Sequence, residues 1–137
     1  MVSYSTRPSD NQNKNEFLNR YAPWVYSQKQ ASEMMDEYTA GRRDFRHMNL
    51  QGVTLTDVDL AGVDLSGADL SNATLTDVNL TDAKLIETTL SNAELTNVQF
   101  RQANLSRANL RGATLTHSSL ATANLRGTVL PNGRMGR

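Results

Sequence analysis

From Phe45 to Leu130 every fifth residue is Leu or Phe, in 18 consecutive units. Leu18 is the only leucine outside this register. Two residues before each Leu or Phe stands a small or medium apolar side chain in 14 of the 18 units, as at Val53, Val63, Ala68 and Ala73. The exceptions are Arg43, Thr88, Ser118 and Thr128. Two residues after it comes Gly, Asn or Asp in 12 units, such as Gly52, Asp57 and Asn72. A period of five drifts off one face of a helix and flips face in a strand. The chain must therefore turn a corner in every unit. Two inward side chains followed by a residue that tolerates tight turns suit a cornered coil.

The pattern predicts a structural core of Phe45, Leu50, Leu55, Leu60, Leu65, Leu70, Leu75, Leu80, Leu85, Leu90, Leu95, Phe100, Leu105, Leu110, Leu115, Leu120, Leu125 and Leu130. The recurring triplets ADL, ANL, VDL and VNL, in units such as GADLS (67–71) and RANLR (107–111), resemble those of pentapeptide-repeat proteins. The opening EYTAGRRDFRHMNLQG (37–52) and the closing TVLPNG (128–133) are similar to cyanobacterial members, among them regulators of heterocyst differentiation. The resemblance implies an all-β solenoid, a right-handed quadrilateral β-helix with four units per coil. At 20 residues per coil the 18 units make about four and a half coils, and stacking at ~4.8 Å gives a rod of roughly 22 Å. A solenoid buries its apolar faces only between neighbouring coils, so its ends need covers.

The chain divides accordingly. Residues 1–15 are polar and read as a flexible tail. Residues 16–41 form a helical and aromatic N-terminal cap, 42–133 the β-helix, and 134–137 a C-terminal tail. Within the cap, Pro23 is expected to interrupt any long helix. Ser32 is expected to N-cap a short helix through Tyr38, with Gly41 as its stop. Phe17, Leu18, Tyr21, Trp24 and Tyr26 concentrate the aromatic content of a chain that is only 6% aromatic. They serve either as cap packing or as a docking surface for a partner.

Composition narrows the function. Among 137 residues, 14 basic and 14 acidic side chains give a net charge of +0. This disfavours a nucleic-acid binder, and no nucleic-acid partner is expected. Cysteine is absent, so there are no disulfides, thiol nucleophiles or Cys-ligated metals. No apolar run approaches a membrane span and the N-terminus lacks a signal-peptide core, so a cytoplasmic protein is expected. His47 and His117 lie too far apart along the coils to share a metal or relay a proton. No phosphate-cradling or nucleophile-elbow motif is present. The expectation is a noncatalytic chain with no cofactor and no metal.

Net zero conceals an axial polarity. Residues 51–95 hold eight acids against Lys84 alone, a balance of −7. Residues 96–137 hold six arginines and no acid, a balance of +6. Arg101, Arg107, Arg111 and Arg126 are therefore candidate partner-binding residues. Cross-coil ion pairs are expected between Asp64 and Lys84 and between Glu87 and Arg107. Thr56, Thr76, Thr96 and Thr116 recur at the coil period, and Thr54, Thr74 and Thr114 form a parallel column broken by Glu94. Three functions follow as alternatives. The first is a regulatory or scaffolding protein-interaction module in a cyanobacterium-like cell, its partner unidentified and self-association open. The second is a DNA-mimicking gyrase binder, as some members of the family are. The third is an ice-binding face of stacked threonines.

Overall fold

The computed structural model describes Glu16, Arg20 and residues 22–137. The tail assigned to residues 1–15 and the candidate residues Phe17, Leu18 and Tyr21 lie outside the described residues.

A 20-residue register organises the rest. Strands β1 (Thr54–Asp59), β2 (Thr74–Asn79), β3 (Glu94–Thr96) and β4 (Thr114–Thr116) form one parallel sheet in that order. Thr54 pairs with Thr74, Thr74 with Glu94, and Glu94 with Thr114. Single parallel bridges repeat the same step elsewhere around the coil, as in Asp64↔Lys84↔Asn104↔Asn124 and Asn49↔Asp69↔Thr89↔Asn109. The chain is thus a β-helix whose coils are laid one on another.

Two local devices make the corners, the second in only nine of the 18 units. From His47 to His117, the second residue after every Leu or Phe has φ between 51° and 76°. Glycine enters this left-handed region freely and Asn or Asp at modest cost, which explains their abundance there. The second device is the Asp or Asn immediately before the Leu. Its side-chain oxygen accepts the backbone N–H two residues on, as Asp64 does from Ser66 and Asn79 from Thr81, both at 3.0 Å. That Asx turn holds the chain on course after the inward leucine.

The inward columns are dry from Phe45 through Leu110, every Leu or Phe being at most 6% exposed. Leu115, Leu120, Leu125 and Leu130, assigned to the core by the repeat, are only half-buried. They belong to the last coil of the described residues.

Three of the four exceptions to the apolar pattern have a common explanation. Thr88 and Thr128 are fully buried, and their hydroxyls donate to the carbonyls of Leu65 (2.9 Å) and Leu105 (2.6 Å), each 23 residues earlier. Ser118 makes the equivalent bond to the Leu95 carbonyl at 3.2 Å. A buried hydroxyl costs little when it has such a partner.

At the N-terminal end lies helix α1 (Pro23–Thr39). Glu16 and Arg20 are helical and Ala22 is not, so the helical segment is divided just before Pro23 as expected; Pro23 itself occupies the first turn of α1, where the missing N–H costs nothing. Ser32 consequently sits in mid-helix rather than at a cap; the cap residue is Ala22, which makes no side-chain capping bond. Gly41, at φ 109°, follows the helix end. Ser27, Ala31 and Met34 are buried and Tyr38 is half-buried, a helical stripe facing the first coil. No described helix is long and apolar enough to cross a membrane.

Candidate docking surfaces

At its N-terminal end the first coil has no coil beneath it, and side chains of α1 replace the missing backbone partners. The Tyr38 hydroxyl donates to the Ala61 carbonyl at 2.7 Å. The Thr54 N–H donates to Gln28 Oε1 at 3.1 Å. Both backbone groups face the position that a preceding coil would occupy. The Arg43 guanidinium lies 3.7 Å from the centroid of the Tyr38 ring and donates to the Tyr38 carbonyl at 2.8 Å, fixing the helix end on the coil. Val25 remains 44% exposed at the outer side of α1 and Tyr26 is half-buried. Of Trp24 only the backbone, in α1, is described.

The C-terminal end is built differently. The chain reverses after Leu130, and Met135 pairs antiparallel with Val129. Gly136 N–H donates to the Thr128 carbonyl at 2.7 Å and Leu130 N–H to the Arg134 carbonyl at 2.7 Å. This short return covers one side of the terminal coil and leaves Met135 60% exposed.

The candidate arginines surround this end, all exposed. Arg101 follows Phe100; Arg107 and Arg126 follow Leu105 and Leu125, which share a column; Arg111 follows Leu110. Arg107 reaches down one coil to Glu87 at 3.0 Å. Both side chains are more than half exposed, so the pair adds little stability. The other expected pair does not form: Asp64 and Lys84 are in register, but the Asp64 carboxylate accepts the Ser66 N–H.

His47 and His117 stand at left-handed corners on different columns. The His47 ring lies over Gly67, where a Cβ would be 2.4 Å from its Nδ1. Among the described residues, no three His, Asp or Glu side chains come together as a metal site. The threonine columns are in register on the exposed side of the sheet, with Glu94 between Thr74 and Thr114. At the opening of the repeat, Arg46 donates to both carboxylate oxygens of Asp44 at 2.9 Å. Those bonds, with the Arg46 backbone N–H, hold the Asp44 carboxyl at about 2.

A parallel coil with a five-residue repeat, an inward leucine and a left-handed corner in nearly every unit defines a class of protein. The chain belongs to the pentapeptide-repeat family: the family model "Pentapeptide repeat region" matches residues 48–130. It is 40% identical to HetL, a pentapeptide repeat protein involved in heterocyst differentiation regulation from the cyanobacterium Nostoc sp. strain PCC 7120. That match has a TM-score of 0.69 and covers 71% of this chain and 41% of HetL, so the chain spans under half of HetL's length. It is 45% identical to alr5209, a pentapeptide repeat protein from Nostoc PCC 7120, over 72% of this chain and 74% of that one, with a TM-score of 0.29. A pentapeptide repeat protein of the Arabidopsis thaliana thylakoid lumen is 30% identical, covering 66% of this chain and 67% of its own, with a TM-score of 0.45. No curated protein matches by sequence.

Proposed function

We propose that this protein is a noncatalytic protein-interaction module with a regulatory role in a cyanobacterium-like cell, working in the cytoplasm. The observation that carries this reading is the 40% identity to HetL across 71% of the chain. The reading takes the rod to be a right-handed, four-sided coil over residues 42–133, with 16–41 as its cap and the ends 1–15 and 134–137 as tails. Left-handed corners at every fifth residue from His47 to His117 support the four-sided form. A rigid ladder of this kind holds its corner side chains in fixed columns, so partner recognition needs little ordering of the module on binding. Two surfaces are the candidates. One is the aromatic segment of Phe17, Leu18, Tyr21, Trp24 and Tyr26; the other is the arginine-bearing end.

The test uses immobilised full-length protein in extract from a heterocyst-forming cyanobacterium. It is compared with a variant carrying Arg101, Arg107, Arg111 and Arg126 all changed to Glu, and with one carrying Tyr21, Trp24 and Tyr26 changed to Ala. A protein retained by the wild type and lost from one variant supports the module and locates its surface. Retention of nothing reproducible, with all three proteins folded, refutes it. The DNA-mimicking alternative draws on the acidic stretch 51–95, but the acid-free end that follows disrupts a duplex-like charge pattern. Inhibition of gyrase supercoiling by the purified protein would revive it.

A further inference from the structure

Ile86 is the chain's only isoleucine, and it stands on the outside of the rod. The residues on either side of each inward Leu or Phe face outward. Among them only Ile86 and Val129 carry a branched aliphatic side chain. Val129 is paired with Met135 of the terminal return. Ile86 is half-buried in an otherwise polar column, with Ser66 below it and Ser106 and Arg126 above.

Beside this column the surface forms a groove of about 640 Å³, lined by Ile86, Ser106, Arg107, Asn124, Arg126 and Gly127. The groove lies across closed coils, so nothing has to part for it to be occupied. Glu87 N–H donates to the Ser106 carbonyl and Arg107 N–H to the Arg126 carbonyl, both at 2.9 Å. Leu85 and Leu105 N–H groups donate to the Asn104 and Asn124 carbonyls, both at 2.8 Å. Gly127, at φ 71°, leaves a notch at the corner: a Cβ there would lie 3.2 Å from Arg107 Cγ.

The groove presents donors around one apolar patch. Among the described residues nothing pairs with the Arg126 guanidinium. Arg107 is held by Glu87 through a single nitrogen at 3.0 Å, which leaves its other N–H groups available. Asn124 gives its side-chain oxygen to the Arg126 N–H at 3.1 Å, so its amide N–H groups remain as donors. None of the six lining residues is acidic. Two guanidiniums against the one carboxylate of Glu87 leave the groove positive.

From this we infer that the groove binds a segment of a partner protein in which an aliphatic and an acidic residue stand two positions apart. In an extended segment two such side chains point to the same side, about 6.6 Å apart. Arg126 is two coil steps above Ile86, roughly 10 Å along the rod, and its long side chain spans the difference. The aliphatic residue covers Ile86, and the carboxylate meets Arg126 and Arg107 in charge-assisted hydrogen bonds. Because the coils already fix the groove, little ordering opposes binding. A second copy fits poorly, because the leucines beside its repeat acids, such as Leu60, Leu65 and Leu70, are buried in its own core. This inference rests on the interaction-module reading and deepens it by naming the partner's chemistry.

The experiment titrates full-length protein with a short glycine–serine peptide carrying one leucine and one glutamate two positions apart, following backbone amides by NMR. The same peptide with glutamine for glutamate, the same with serine for leucine, and inorganic phosphate are the comparisons. The leucine–glutamate peptide is expected to shift the amides of Ile86, Ser106, Arg107, Arg126 and Gly127, and to bind about tenfold more tightly than either altered peptide. Ile86→Ser copies the serines above and below it in the column. It is expected to melt like the wild type yet to lose the preference for leucine over serine. Arg126→Gln is expected to lose the preference for glutamate over glutamine. Equal binding of the three peptides, shifts confined to other surfaces, tighter binding of phosphate than of the leucine–glutamate peptide, or self-association that excludes the peptide would each overturn the inference. So would a natural partner held equally well by wild type and Ile86→Ser, an outcome that leaves the interaction module itself standing.

Discussion

Leu90 and Leu130 occupy the same column, two coils apart, and the structure gives them opposite surroundings. Leu90 is fully buried between Leu70 and Leu110, which are themselves 1% and 0% exposed. Leu130 lies in the last coil of the described residues and is half-buried. Leu90→Ala removes a side chain from a site that cannot collapse. The Leu90 N–H is tied to the Asn109 carbonyl at 2.7 Å, and the flanking Thr89 N–H to the Ala68 carbonyl at 3.0 Å. Coil spacing is thereby held while the cavity opens. The expected cost is about 2–5 kcal/mol, or roughly 8–20 °C in melting temperature for a chain of this size. Leu130→Ala loses a smaller buried area and leaves no closed cavity, so under about 1.5 kcal/mol is expected. The assay is urea unfolding followed by circular dichroism, with Thr96→Ala, an exposed residue beside Leu95, as a near-neutral control. Equal losses at Leu90 and Leu130 would refute the argument, because they would require the terminal coil to be as enclosed as the middle of the rod.

Three further outcomes follow from single contacts. Tyr38→Phe deletes the hydroxyl that satisfies the Ala61 carbonyl and should cost about 1 kcal/mol in the same assay; no loss would mean that water already serves that carbonyl. Thr88→Val keeps shape but removes the bond to the Leu65 carbonyl, which still accepts the Ala68 N–H at 3.0 Å, so about 0.5–1.5 kcal/mol is expected; a stabilised variant would disprove the role of the buried hydroxyl. The Asp44 carboxyl should titrate near 2 by NMR and move back toward the usual carboxylate value of 3.8 in Arg46→Ala. Because its folded value is the lower one, what it contributes to stability is present above pH ~4 and fades as pH falls toward 2.

The repeat was legible because one rule recurs 18 times, and each recurrence places an apolar side chain where the coil requires one. Where sequence reasoning failed, a single residue admitted two physical roles. Ser32 reads as an N-cap in isolation, yet it lies in mid-helix because α1 starts at Pro23. An Asp or Asn precedes the Leu or Phe in nine of the 18 units, but its Asx bond is visible only once the backbone path is known. Thr122 is the first corner residue that does not take positive φ, and this was nearly readable. Glu87, Gln102 and Arg107 also replace Gly, Asn or Asp at corners and still adopt positive φ. Unbranched side chains pay only the ordinary strain there, whereas Thr adds crowding at Cβ. The signal was β-branching at a corner, rather than departure from the favoured residue set.

The two ends of the rod solve one problem in unequal ways. Any stack of coils leaves a row of unpaired backbone groups and a layer of leucines at each end, a liability that invites uncontrolled association. At the N-terminal end α1 answers it with Ala31 and Met34 over the first leucines and with Gln28 and Tyr38 on the backbone. At the C-terminal end the short return through Met135 answers only part of it. Exposed edges in monomers are commonly blunted with charge, and the charge here is of one sign. Arginines without any acid repel a second identical edge while attracting a partner's carboxylates. The same residues that keep this end from pairing with itself thus select what docks beside it.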